Sequence, residues 1–309
     1  MSKFKVAIVQ AEAAFMNLKA SVERAVDFIS EAASQGAKLI VFGETWLPGY
    51  PAWLDYCPDA ALWNHEPTKE IYAALRQNSL SLNSVEVRTL SEAARDQKIL
   101  LVIGVNERVD NGPGNGTLFN SLLTFGADGS LINHHRKLIP TYTERLVWGQ
   151  GDGKGLTAVD TTLGRLGGLI CWEHWMPLAR QALHNSGEHI HVAVWPTVND
   201  LHQLCSRHYA FEGRCYVLAA GILLRLKDLD GLLPVRADLA KQPSDFVLRG
   251  GSAIIGPDGK YLTEPVFDQE MIITAELDLG AIHKEQMTLD VSGHYSRPDI
   301  FEFRLKGHD

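Results

Sequence analysis

Short apolar runs alternate with amphipathic stretches along the whole chain, and each kind predicts its own element. Lys5–Val9 reads as a first strand. From Asn17 to Gln35 the apolar positions Leu18, Val22, Ala25, Val26, Ile29 and Ala33 fall at helical spacing, and Gly36 supplies the stop. Lys38–Phe42 is an apolar run of buried-strand type that breaks on Gly43 and the carboxylate Glu44. Helices are predicted over 68–77 and 84–97, and a buried strand over Leu100–Val105. Leu118–Phe125 and Leu131–Lys137 flank Asp128-Gly129 and predict a hairpin. Farther on, strands are expected at Leu166–Ile170, His189–Trp195, Cys215–Ala220, from Ser252 to the turn at Gly259, and at Met271–Leu277. Helices are expected from Pro177 to His184, from Leu201 to Arg214 and from Leu279 to Gln286. Residues 225–249 are mixed and charged, and read as a mobile segment at a pocket mouth or an interface.

Strands and helices alternate throughout, which predicts an α/β fold, and the Asp-Gly turns predict a mixed sheet. No repeat or linker divides the 309 residues, so residues 1–309 read as a single domain. A hydrophobic content of 45% and a charged content of 21% fit a globular protein. The net charge of −8 and the lack of a basic block argue against nucleic acid as a partner. No apolar stretch reaches membrane-spanning length, so no membrane partner is expected. Four scattered cysteines do not make a disulfide framework, which favours a reducing cytoplasm.

Candidate chemistry gathers where apolar runs end. Cys171 closes a strand just before a helix, on a stiff frame where a helix N-terminus would favour a thiolate; as a buried small hydrophobe it would carry no chemistry. Glu44 ends another such run, and a buried carboxylate needs partners. Lys137 and Glu144 lie in a long loop interrupted by Pro140, either as surface charges or as ordered functional groups. A thiol, a carboxylate and an ammonium together could supply a nucleophile, its base and a counter-charge. The competing reading is a metal held by His189 and His191, by Cys205 and His208, or by His134 and His135. None of these has a zinc spacing, and no metal is expected. Seven tryptophans fall largely around the candidate polar residues, as core filling or as an aromatic pocket.

Three blocks in order, Phe42-Gly-Glu44-Thr-Trp-Leu-Pro-Gly-Tyr-Pro51, His135-Arg-Lys137-Leu-Ile-Pro-Thr-Tyr-Thr-Glu144-Arg and Gly168-Leu-Ile-Cys171-Trp172-Glu173-His174, resemble the nitrilase family of carbon–nitrogen hydrolases. The resemblance implies a four-layer α–β–β–α sandwich and hydrolysis of an organic nitrile to an acid and ammonia without a cofactor. It implies Cys171 as nucleophile, Glu44 as general base, Lys137 as the cation that steadies the intermediate and Glu144 as its support. Tyr50, Thr141, Trp172, His174, Trp195 and Pro196 are expected around the substrate. His174 stands where many members carry Asn, which leaves the substrate class open. An amidase or carbamoylase of the same superfamily, or a cyanide- or nitrile-hydrating enzyme that releases the amide, is the nearest alternative, and Trp172-Glu173 after the cysteine favours the nitrilase branch. A non-catalytic assembly scaffold is the alternative of another class. A homodimer is expected, with residues 280–309 as a tail at its contacts; that tail is short for a spiral filament.

Overall fold

The computed structural model describes residues 3–239 and 244–306. Thirteen strands and seven α-helices alternate along these residues. Strands β1 (Phe4–Gln10), β2 (Ala37–Phe42), β3 (Leu100–Arg108), β4 (Leu118–Phe125), β5 (Leu131–Arg136) and β13 (Met271–Leu277) form a six-stranded sheet in the order β13-β1-β2-β3-β4-β5. The second sheet holds β6 (Val159–Thr161), β7 (Gly164–Ile170), β8 (Ile190–Val194), β9 (Tyr216–Ala220), β10 (Leu223–Arg225) and β11 (Phe246–Ile255), with β12 (Tyr261–Phe267) against β11. Both sheets are mixed: β1, β2 and β3 run parallel, as do β7, β8 and β9, while the outer pairs are antiparallel.

Strand alternation explains the layers. In the first sheet Ala7, Val9, Ile40, Phe42, Leu101 and Ile103 face one core, shared with helices α1 (Leu18–Ser34) and α4 (Val85–Gln97). The intervening Val6, Ile8, Leu39, Val41, Leu100 and Val102 face the other core, which they share with Leu166, Val192 and Leu218 of the second sheet. Helices α5 (Pro177–Asn185) and α6 (Asp200–Gly213) cover that sheet's far side through Ala182, Leu183, Tyr209 and Ala210. The result is the expected α–β–β–α sandwich.

Local chemistry sets the element ends. The Asn17 side chain accepts from Ala20 N–H at 3.1 Å and caps α1, while Ser84 caps α4 through Val87 N–H. Helix α3 (Glu66–Gln77) starts two residues earlier than the periodicity predicts, with Pro67 in its first turn. The short α2 (Trp53–Tyr56) and a last helix, α7 (Gly280–Gln286), complete the set.

Two expectations need correction. The described part of 225–249 does not behave as a free charged segment: Leu229, Leu233, Leu239 and Leu248 are buried, and Tyr56 donates to Val247 O at 3.0 Å. Residues 240–243 of that segment, and 307–309 of the tail, lie outside the described residues. Nor does Cys171 stand at the start of α5. A separate 3-10 turn, Cys171–Trp175, comes between β7 and Pro177, so the helix N-terminus is not what governs the thiol.

Candidate active site

Each member of the expected set is placed by an element end. Glu44 follows β2, whose parallel pairing with β1 and β3 fixes the direction in which the chain leaves the sheet. Here β3 must come very close: a Cβ on Gly104 would lie 2.2 Å from Gly43 O and 2.9 Å from Glu44 Cα. Only a residue without a side chain fits beneath that carboxylate. The loop after Glu44 is tied back by Asn106, whose amide donates to Gly49 O at 2.9 Å while its oxygen accepts from Trp148 Nε1 at 2.9 Å.

Lys137 follows β5 and is held by backbone bonds on two sides, from its own N–H to Asn120 O (2.8 Å) and from Gly151 N–H to its carbonyl (2.9 Å). Glu144 sits in a 3-10 turn, Tyr142–Leu146, and reaches back to accept from Thr141 N–H at 2.7 Å. Cys171 follows β7 as the first residue of its 3-10 turn, at φ +53°, in the left-handed region that an L-residue occupies only under constraint.

These four side chains converge. Lys137 Nζ donates to Glu44 Oε1 at 2.9 Å and to Glu144 Oε2 at 2.7 Å. Asn120 donates to Glu44 Oε1 at 2.7 Å, and Tyr50 OH donates to Glu144 Oε1 at 2.9 Å. Among the described residues nothing hydrogen-bonds Glu44 Oε2, which is buried. The Cys171 sulfur, a Glu44 oxygen and a Glu144 oxygen lie within 4.8 Å of one another. All four groups are almost entirely shielded from solvent, so the reading of Lys137 and Glu144 as surface charges does not hold.

The electrostatics follow from that burial. Burial lifts the Glu44 carboxyl from the usual range to about 7, helped by the charge of Glu144 and opposed by Lys137. Burial works against the Lys137 ammonium, but Cys171, Glu44 and Glu144 outweigh it and hold Lys137 above its ordinary value. Burial also pushes the Cys171 thiol well up, Glu44 adds to this, and Lys137 and the Trp172 N–H pull only partly against it. The sulfur therefore rests as a thiol rather than as the thiolate that a helix terminus would favour. A poised carboxylate beside it, with one oxygen unpartnered, is the group able to take its proton.

A cavity of about 380 Å³ opens onto Cys171. Of the expected substrate neighbours, Tyr50, Thr141, Trp172 and Pro196 line it, and Trp172 is 53% exposed. His174 and Trp195 do not. Both are fully buried behind the wall, their rings stacked at 4.7 Å, and Trp195 stacks again on His202 at 4.4 Å. The wall instead presents Asp55, Tyr142, Asn199 and His202. Asp55 accepts from Thr143 at 2.8 Å, and burial raises its carboxyl. Asn120 and Gly104 also escape sequence reasoning, although an asparagine inside an otherwise apolar strand is a usable signal.

Glu173 has a different part. It accepts from His135 Nε2 (2.9 Å), Leu138 N–H (2.7 Å) and Ile170 N–H (2.7 Å), and so joins the end of β5 to the end of β7. Burial opposes its charge, yet these donors hold its carboxyl below the usual value.

The suggested metal pairs do not assemble. His134 goes to Glu107, His135 to Glu173, and His189 accepts from Arg165 N–H. His191 turns to Glu188, and Cys205 lies 3.6 Å from the His174 carbonyl while His208 is solvent-exposed. Among the described residues the one group with metal-like spacing is Glu44, Glu144 and Cys171. There the Lys137 ammonium already bridges both carboxylates, and a metal ion would have to compete with it.

The carbon-nitrogen hydrolase family pattern matches residues 5–284, and the chain belongs to that family. It is 38% identical to an aliphatic nitrilase of Sinorhizobium fredii over 302 residues, covering 98% of this chain and 95% of that one. It is 35% identical to an arylacetonitrilase of Aspergillus kawachii, covering 99% and 93% of the two chains. These relatives place it in the nitrilase branch. The crystal structure of a carbon-nitrogen hydrolase from Helicobacter pylori superposes with a TM-score of 0.75 at 19% identity, covering 97% of each chain, and shares the fold. No helix among the described residues is long and apolar enough to cross a membrane.

Proposed function

We propose that the chain hydrolyses an organic nitrile to its carboxylic acid and ammonia, with Cys171 as nucleophile, Glu44 as general base, Lys137 as the stabilising cation and Glu144 as its support. The observation that carries this reading is the buried Glu44 carboxylate beside the Cys171 sulfur, with one oxygen free of partners. Glu44 takes the thiol proton as the sulfur adds to the nitrile carbon and the nitrogen is protonated, giving a thioimidate. A first water attacks, ammonia leaves and a thioester remains. A second water releases the acid and returns the thiol. Lys137 and the Trp172 N–H both act on the Cys171 sulfur, and in this reading they also stabilise the negative charge that develops on the nitrile nitrogen and in the tetrahedral intermediate. Tyr50, Thr141, Trp172 and Pro196 contact the substrate in this reading, with Asp55 and His202 farther along the wall.

The reading extends to a cytoplasmic homodimer. Four free cysteines are compatible with a reducing compartment. Exposed Tyr295, Ile300 and Phe301 make the 280–309 tail a candidate contact. Light scattering of the purified protein, with and without residues 289–309, tests the assembly.

The deciding assay is ammonia release from aliphatic, aromatic and arylacetonitriles beside their matching amides, with Cys171→Ala as the blank. Ammonia from nitriles alone is expected. Ammonia from amides alone would make the chain an amidase, and silence on both would leave a scaffold.

A further inference from the structure

Behind the Cys171 turn lies a second buried polar network that the proposed chemistry does not use. His174 Nδ1 is 2.7 Å from Cys171 O, and His174 Nε2 is 2.9 Å from His191 Nε2. His191 Nδ1 is 2.9 Å from Glu188 Oε2, and Tyr209 OH donates to Glu188 Oε1. His184 lies 3.5 Å from Glu188 and 3.2 Å from Glu212, which also accepts from Arg180 Nε at 2.8 Å. Arg180 closes the circuit by donating to His174 O at 3.0 Å. His174 and His191 have no solvent exposure.

Donor and acceptor chemistry fixes the protons. A carbonyl only accepts, so His174 Nδ1 must carry hydrogen. Burial and the neighbouring His191 push His174 well below its ordinary value, so it is neutral and its Nε2 is an acceptor. His191 Nε2 must then donate. Burial opposes the Glu188 charge, but its histidine partners outweigh burial and hold it at about 2, so it is a carboxylate. His191 therefore bridges the two groups, with Nε2 toward His174 and Nδ1 toward the Glu188 carboxylate.

We propose that His174, held in one tautomer by its hydrogen bonds to Cys171 O and to the His191–Glu188 pair, is a positioning residue for the Cys171–Trp172 peptide; this rests on Cys171 being the nucleophile. The peptide is planar and trans, so fixing its C=O fixes the opposite direction of the Trp172 N–H, the donor that faces the Cys171 sulfur. Hydrogen bonding to the carbonyl also polarises that N–H. The bond further holds a residue whose backbone sits at φ +53°. Tyr209, stacked on His191 at 3.8 Å, and Trp195, stacked on His174, leave neither ring room to turn.

The test has two parts. Histidine nitrogen NMR of the full-length protein, assigned with His191→Gln, should show His174 protonated at Nδ1 alone and His191 protonated at Nε2. In parallel, His174→Leu removes the donor while His174→Asn offers an amide N–H near the place of Nδ1. For the folded Leu variant, kcat and the alkylation rate of Cys171 by iodoacetamide should fall about 100-fold with KM within about threefold, and Asn should recover most of both. A His174 protonated at Nε2, a His191 without a proton on Nε2, or unchanged alkylation in the Leu variant would overturn the proposal. Should the Leu variant not fold, the wild-type nitrogen signature still decides. Alkylation and nitrogen shifts need no turnover, so both remain informative if the nitrile reading fails.

Discussion

Glu44 and Glu107 are two buried carboxylates of the same sheet, served by consecutive cations, and their carboxyls are shifted in opposite directions. Arg136 turns to one side and pairs with Glu107 through two nitrogens, while His134 at 2.7 Å and Ser121 at 2.6 Å fill the remaining positions. Burial opposes the charge of Glu107, but the saturated shell outweighs it and brings the carboxyl down to about 2. Lys137, the next residue, turns to the other side and divides its ammonium between Glu44 and Glu144. Glu44 thus has a shared cation and one empty oxygen, and its carboxyl rises to about 7. Burial alone does not decide what a carboxylate can do; completeness of its donor shell does. A filled shell makes a structural ion, and an incomplete one leaves a place for a proton.

The largest effect that would break this contrast is expected at Glu44. Glu44→Gln should lower kcat/KM by roughly 10⁴-fold while the melting temperature holds, since it removes the proton acceptor; a loss of only a few-fold would take the base role from it. Glu107→Gln should do the reverse. Breaking its buried pairs should cost about 3–5 kcal/mol in denaturant unfolding, with kcat altered far less than by Glu44→Gln. Gly104→Ala should fall between them, because its methyl would displace Glu44 without changing any donor. A loss of about 100-fold in kcat is expected, as for displacements on the ångström scale, and a crystal structure would show whether Glu44 had moved.

The mildest probe is pH. Glu44 must be ionised to accept a proton, and its folded-state value is raised, so activity should rise with pH through about 7 and fall about tenfold per unit below it. Glu107 is depressed, so its stabilisation is complete above the ordinary carboxylate value and lost only as pH falls toward about 2. An activity profile and a stability profile that fell together near pH 7 would contradict the separation.

Much of this was legible in the residue order. Apolar runs ending on Glu44 and Cys171, and an ordered loop carrying Lys137 and Glu144, mark the site because each element end delivers one group. The layers follow from period-two alternation in β1, β2 and β3. What stayed hidden depends on contacts across the fold. Asn120 and Gly104 matter only because β4 and β3 pass beside Glu44, and a strand pattern does not name its neighbour. His191 looks like half of a metal pair until Glu188 and His174 are seen on its two nitrogens. Strand β12 escaped notice because Pro265 sits in it and half of its residues face outward, as an edge strand tolerates. The expected thiolate failed because the 3-10 turn takes Cys171 out of reach of α5 and into a buried site beside two carboxylates.

Glu44 and Lys137 come from one sheet and Cys171 from the other, and the Glu173 carboxylate spans the gap between them. The spacing between base and nucleophile therefore depends on how the inner hydrophobic layer packs. A methyl group gained or lost at Val6, Val41, Leu122 or Leu218 acts as a shim, altering reaction rate from a position that touches no substrate.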